Sequence, residues 1–290
     1  MGEAMTRLVL ISGLIPYDAG KTWFTVSSAL AAKVMGIRVG VFKPVAAHNL
    51  WYSPKTLRKS IELGLLVGND ILEYYNSGLV DAVSLSNPIA LATAPPDPYL
   101  YKDVESYMRD LESAPSTAVL SRFSNCSNGS VKHYVYLENL GRAPPRVRRA
   151  VERAYRRLNA EQSSITEALA YLSSPAVEEN LNACLDKISR DSDIAFVESF
   201  NDAIAPYVGV LDKVDFIAVV APGRVLVYTK TKEVRELVSK YLEDKEWEGL
   251  RSRYFVERAK AETSLEVGLA LKPKPSRAHS LFIKLVTGKV

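Results

Sequence analysis

The chain has 290 residues, 47% of them hydrophobic and 24% charged, which excludes a disordered polymer and fits one large α/β domain or a domain carrying a sizeable insertion. Thirty-seven Lys and Arg against 33 Asp and Glu leave a formal charge of +4, too mild to argue by itself for nucleic acid, which needs a strongly basic face. Two cysteines, Cys126 and Cys184, exclude a disulfide framework and a four-ligand zinc site, and read as structural thiols.

Gln162 is the only glutamine, a bias expected where thermolabile amides are avoided at high temperature. A thermophilic source would also tolerate an intracellular disulfide. No run of eighteen apolar residues occurs, and "MGEAMTR" leads directly into "LVLISG" without an apolar leader core. The expectation is a soluble, cytoplasmic protein with no membrane partner.

"RLVLISG" (Arg7 to Gly13) is a short apolar run closing on glycine, the pattern of a strand buried on both faces of a parallel sheet. "KTWFTVSSALAAKVMG" sets Phe24, Leu30, Ala31 and Val34 at helical spacing with Gly36 as its stop, and "RVGVFKPV" comes next as a second strand. Together they form a right-handed βαβ unit. Beyond it, "KTLRKSIELGLL" and "DILEYYN" read as helices, and the proline-rich "NPIALATAPPDPYL" as a loop, because proline removes donors and restrains the residue before it.

Residues 102–190 change character. "LYKDVESYMRDLE" is helical, "TAVLSRFS" and "KHYVYLENL" flank "NCSNGS" as a hairpin, and three helical stretches come after it. "DIAFVESF" and "VDFIAVVAP" then resume the parallel order, with "KEVRELVSKYLE" as a helix. The tail supplies a strand at "SLEVGLALKP" and a strand or one helix at "SRAHSLFIKLV". The fold expected is α/β, a doubly wound, mostly parallel sheet over residues 1–101 and 191–290, with an inserted, mostly helical subdomain carrying a hairpin over residues 102–190.

The stretch "ISGLIPYDAGKTWF" puts Gly20, Lys21 and Thr22 between the first strand and the first helix. Unpaired backbone N–H groups and the positive end of a helix dipole favour phosphate at such a place. Six residues, Leu14 to Ala19, separate Gly13 from Gly20, where the ordinary phosphate loop has four. Lys21 would neutralise β/γ-phosphate charge, the Thr22 hydroxyl would ligate Mg2+, and Gly20 would let the backbone approach the anion. The nucleotide-contacting set is Asp18, Ala19, Gly20, Lys21, Thr22 and Trp23, with Asp18 readable also as a turn or capping residue. Lys43, at the carboxyl end of the second strand, reads either as a second lysine at the edge where open α/β sheets bind ligands or as a solvated strand-end charge.

These residues resemble the dethiobiotin synthetase-like P-loop enzymes, in the wider group that includes cobyrinic acid amidating synthases and related ATPases. Members carry a glycine, five residues, then G-K-T, and a "KPV" after the next strand; Lys21 and Lys43 stand 22 positions apart, the family's spacing. Asp18 falls where the family places an acidic residue. "GND" (Gly68 to Asp70) resembles the segment supplying a Mg2+-ligand aspartate, "NPIALATAPPDP" the family's proline-rich substrate loop, and "AFVESF" the strand ending in Val-Glu-Gly whose glutamate faces the metal. The chain also resembles uncharacterised archaeal proteins described as predicted P-loop ATPases or GTPases.

The resemblance implies ATP, or GTP, and Mg2+ as cofactors. Thr22, Asp70 and Glu198 become metal ligands, and Lys21, Lys43 and Glu198 the catalytic set, with Lys43 holding an anionic small-molecule acceptor. The implied activity is that of a ligase or kinase moving γ-phosphate onto that acceptor, in a chain that, like family members, forms a homodimer. Read from the residues alone, Asp70 also fits an N-cap of "ILEYYN". Glu198 ends a buried apolar strand, a costly place for an acid without a partner.

In "GRAPPRVRRAVERAYRRLNAE", Arg142, Arg146, Arg149, Arg153 and Arg156 recur at three- and four-residue steps along one helix face. This reads as a solvated face partnered by Glu152 and Glu161, or as a surface for RNA or an anionic substrate. In the second case the protein is a nucleotide-regulated NTPase that holds RNA or a protein partner. His48, His133 and His279 share no ligand spacing, and His48 alone lies near the crevice.

Overall fold

The computed structural model describes residues 5–288, so the first four residues of "MGEAMTR" lie outside the described residues. In chain order, the first elements are β1 (Arg7–Gly13), α1 (Lys21–Val34), β2 (Val39–Phe42), β3 (Val45–Asn49), α2 (Pro54–Leu63), α3 (Asn69–Asn76), α4 (Val83–Ser86) and β4 (Ile89–Thr93). The middle of the chain forms α5 (Val104–Glu112), α6 (Ala114–Thr117), β5 (Ala118–Ser124), β6 (Val131–Val135), α7 (Leu137–Arg142), α8 (Pro145–Arg157), β7 (Glu161–Gln162), α9 (Ile165–Leu172) and α10 (Pro175–Arg190). The last part forms β8 (Ile194–Glu198), β9 (Phe216–Ala221), β10 (Arg224–Tyr228), α11 (Thr231–Lys245), α12 (Ser252–Val256), β11 (Thr263–Glu266) and α13 (Arg277–Thr287). This is an α/β protein with two mixed sheets.

The chain divides into two compact units, one of residues 1–44, 73–81 and 185–290, the other of residues 45–72 and 82–184. The first is built on a six-stranded sheet of order β11-β10-β9-β1-β8-β2. Four consecutive strands, β9, β1, β8 and β2, are parallel, with β1 between β8 and β9 and β2 at the edge outside β8. The parallel order expected to continue after "VDFIAVVAP" stops there. Gly223 turns the chain back, and β10 and β11 add antiparallel strands that make the sheet mixed.

Side chains alternate across a strand, so Val9 and Ile11 of β1 share a face with Phe196 of β8 and pack under α1 and α13. On β2, Val39 packs against that cluster, while a Cβ on Gly40 would collide with Ile188 of α10. The sheet is therefore covered on both faces, as near-continuous apolar parallel strands require. Helix α1 ends in a Schellman arrangement: Gly36 at φ 74° donates to Lys33 O, and Ile37 donates to Ala32 O. Among the described residues, no helix is long and apolar enough to cross a membrane.

The second unit carries a five-stranded mixed sheet, β3-β4-β5-β6-β7. Its extent differs from the insertion expected at residues 102–190, because it also takes in residues 45–72 and 82–101, and beside its helices it carries a whole sheet rather than a hairpin alone. "RVGVFKPV" splits at Pro44, so that β2 joins one sheet and β3 the other, and the "NPIALAT" passage read as loop is β4, paired with β3 and β5. Proline vetoed a strand only where the prolines stand, at residue 88 before β4 begins and at residues 95, 96 and 98 after it has ended. The hairpin of β5 and β6 forms as expected. The "SRAHSLFIKLV" tail resolves as helix α13, opened by a capping box between Ser276 and His279.

The cysteines correct the structural-thiol expectation. Cys126 and Cys184, 58 residues apart in sequence, form a disulfide within the second unit, with Asn180 binding the Cys126 N–H and the Ser124 carbonyl beside it. The bond closes a long loop in the unfolded chain, and its loss is expected to destabilise by about 2–4 kcal/mol. Urea unfolding of the Cys126→Ser, Cys184→Ser protein against the oxidised parent measures this; equal midpoints and slopes would overturn it.

Candidate functional site

The carboxyl edge of the first unit's sheet gathers the residues the sequence singled out. Strand β1 ends at Gly13, β8 at Glu198, and Lys43 comes one residue after β2. In the parallel register Ile11 lies beside Glu198, and Val41 beside Phe196. The period of two therefore turns the Glu198 and Lys43 side chains toward the face that carries α1.

Glu198 has no exposed surface and Lys43 only 2%. The Lys43 Nζ donates to Glu198 Oε1 at 2.7 Å and to Ser199 O at 2.8 Å. Thr22, in the first turn of α1, donates its hydroxyl to the same Oε1 at 3.0 Å. The Tyr74 hydroxyl, from α3, donates to Oε2. A buried carboxylate is tolerable when paired with a cation and given further donors, and here both conditions hold. Tyr74 escaped sequence reasoning. It sits in "DILEYYN" with Tyr75 beside it, and the only signal was that one of two adjacent tyrosines on an amphipathic helix had to face inward.

The loop before α1 brings the chain to the helix start without a capping side chain. Gly20 is the N-cap in the left-handed region, at φ 90°, no side chain caps the helix, and no acidic residue occupies its first turn. Asp18 also adopts positive φ, at 52°, and is exposed, while Ala19 is buried. Trp23 is exposed on the helix's outer side. The Lys21 Nζ reaches back over the strand end and donates to Asn201 O at 2.6 Å.

Gly13 makes that path available. A Cβ there would stand 2.8 Å from Lys21 Nζ and 2.9 Å from Asn201 O. The glycine whose spacing departs from the ordinary loop is thus the floor under the lysine's ammonium. Asn201 itself, in "SFNDA", takes φ 45°, a left-handed conformation that asparagine tolerates better than most residues. Its loop is held by Ser252 N donating to Asp202 O at 2.7 Å and by Arg251 to the Asp202 carboxylate at 3.3 Å.

Thr22, Glu198, Lys43 and Lys21 therefore come together in one unit. Asp70 belongs to the second unit, in the first turn of α3, and its charge acts on His48. His48, on β3, is buried in the second unit. Among the described residues no group of three or more His, Cys, Asp or Glu side chains is assembled to hold a metal. Two clefts, of about 450 and 420 Å3, belong to the second unit, where Tyr134, Tyr136 and Ser163 contribute to their walls. No family model, curated protein or solved structure gives a significant match to this chain.

These contacts set two measurable outcomes. Lys43→Ala leaves Glu198 buried without its cation, and unfolding free energy is expected to fall by about 3–5 kcal/mol in chemical denaturation; a loss under about 1 kcal/mol would sink the buried-pair description. Burial holds His48 neutral in the fold, with its pKa pushed down from 6.5 to about 4 against the opposing pull of Asp70. Between pH 6.5 and 4 the unfolded chain takes up a proton that the fold refuses, so stability falls with falling pH by about 1.4 kcal/mol per pH unit. Urea titrations at pH 7 and 5 should show this loss in the parent and a smaller one in His48→Leu; identical losses would refute it.

Proposed function

We propose that the first unit is a P-loop nucleotide-binding module that takes Mg2+ and ATP, with GTP as the chemical equivalent at the phosphate end, and moves or hydrolyses the γ-phosphate. The observation that carries this reading is the uncapped, acid-free N-terminus of α1 at the end of a buried parallel strand, with Lys21 laid over Gly13. Anions are favoured at such an end by the helix dipole and the unpaired N–H groups.

The residues present fit the phosphates and the cation. Thr22 gives its hydroxyl proton to Glu198, which leaves the hydroxyl oxygen's lone pairs for a hard cation. A bound Mg2+ would neutralise charge on the β- and γ-phosphates. Lys21, whose ammonium rests on a backbone carbonyl at 2.6 Å, would exchange that neutral oxygen for charged phosphate oxygens, which make the stronger hydrogen bonds. Catalysis by such a site is positioning and charge neutralisation.

Lys43 takes a different part from the one the resemblance implied. Buried and bonded to Glu198 and Ser199 O, it positions the carboxylate and is given no contact with an acceptor. Thr22 and Glu198 make the metal-facing pair of the first unit.

Calorimetric titration with Mg-ATP and Mg-GTP, with phosphate release assayed in parallel, tests the reading. Lys21→Ala and Gly13→Ala are each expected to weaken binding about tenfold or more, the second by evicting the ammonium from its place over the strand end. Unchanged affinity in both variants, or no binding by the parent protein at millimolar nucleotide, would reject the module.

A further inference from the structure

Helix α8 lies in the second unit with Val151 and Ala154 buried in that unit's core and Val147 and Tyr155 packed against it. Arg146, Arg149, Arg153 and Arg156 recur at steps of three and four on the opposite side and are exposed, as is Arg157. At 1.5 Å per residue, the four span about 15 Å, with neighbours about 5–6 Å apart.

The glutamate partners expected for this stripe are not engaged. Arg142 pairs with Asp110, and Arg148 binds backbone carbonyls at residues 141 and 143. Among the described residues, the five exposed arginines enter no ion pair with a carboxylate, Glu152 and Glu161 included; Arg156 lies over the Tyr155 ring at 6.0 Å. An ordinary solvated helix face relieves such a row with acids at three- or four-residue spacing. Here Glu152 stands at that spacing from Arg149 and Arg156 but forms an ion pair with neither, so one acid faces five exposed arginines.

We propose that the exposed face of α8 is a docking surface for single-stranded RNA, contacting its phosphate backbone without regard to sequence. Guanidinium groups fork onto phosphate oxygens, and a line of them displaces condensed counterions along a polyanion. The face carries no Asn or Gln to read base edges, and α8 packs beside α2, so it is not a free rod for a duplex groove. A membrane surface fits less well, because the apolar side of α8 is committed to the core and none remains to enter lipid.

Trp51 and Tyr52, 64% and 76% exposed, stand immediately before α2, the helix packed along α8. Exposed rings of this kind are stacking platforms for unpaired bases, and RNA is the nucleic acid that offers unpaired loops and ends. Lys55 adds an exposed cation in the first turn of α2.

The test uses the full chain and a fluorescent 20-nucleotide unstructured RNA, with anisotropy read from 50 to 300 mM KCl. The expected result is binding whose log affinity falls linearly with log salt, with a slope of about −3 for four to five phosphate contacts. Arg149→Glu with Arg153→Glu should weaken binding about tenfold or more and flatten the slope. Arg149→Lys with Arg153→Lys, which keeps the charge, should retain most of it. Lys232→Glu with Lys240→Glu, an equal charge change in the first unit, should leave it intact.

Absence of RNA binding at 50 mM KCl would overturn the proposal. So would equal weakening by the Lys232 and Lys240 reversals, or tighter binding to duplex DNA of the same length or to phosphatidylserine vesicles. Nucleotide titration of the Arg149 and Arg153 variants keeps this outcome separate from that of the phosphate loop, since the parent's nucleotide behaviour should be unchanged.

Discussion

The carboxylate of Glu198 is a negative charge with no exposed surface, and the carboxyl edge of the first sheet is arranged around it. Taking such a group out of water costs several kcal/mol unless a cation and hydrogen-bond donors replace the lost hydration. Four elements supply the replacement: β8 brings the acid, the residue after β2 brings Lys43, α1 brings Thr22 and α3 brings Tyr74. Each donor must hold its position or leave a buried charge facing apolar surroundings. One carboxylate thereby fixes the start of α1 relative to the strand ends, and the start of α1 is where we propose a phosphate is received. The strand order serves this directly, because β8 lies between β1 and β2 and puts Glu198 within reach of both.

The loop from Leu14 to Gly20 is arranged the opposite way. Helices normally close their first turn with a side-chain oxygen, as Ser164 does for α9 and Asp103 for α5. Helix α1 has only Gly20, a residue without a side chain. No N-cap side chain closes its first turn. With Glu198 engaged by Thr22 and Lys43, and Lys21 resting on the Asn201 carbonyl, the approach to that turn keeps a positive character.

Much of this edge was legible in the sequence because short local patterns fix it: an apolar run ending in glycine, G-K-T at a helix start, an acid ending a buried strand. What was not legible depended on residues far apart in sequence. Tyr74 lies 124 positions from Glu198, and nothing local distinguishes it from Tyr75. The inward turn of Lys43 required knowing that β8 is its neighbour, which chain order does not say. Likewise β3 and β4 could not be assigned to a second sheet from their own residues, since their partner β5 begins only at Ala118. Asn201 takes a left-handed turn without being glycine, so a search for glycine passes over it.

The second unit uses one residue type in two opposed ways, and the contrast argues against treating its arginines as a uniform solvating coat. Arg122 on β5 is wholly buried without an acid; it donates to Leu66 O at 2.9 Å, to Ser124 Oγ at 2.9 Å and to the carbonyl and side chain of Asn87. Neutral oxygens satisfy its geometry but not its charge, so desolvation pulls its pKa down to about 9. That charge is closed to any ligand. On α8 the arrangement is reversed, with guanidinium groups exposed in a row and, among the described residues, no ion pair to a carboxylate, Glu152 on the same helix included. A fold that can satisfy a buried arginine four times over, and can pair Arg142 with Asp110 at the edge of the same helix pair, does not lack the means to neutralise the stripe. Leaving it unneutralised keeps a positive line facing solvent.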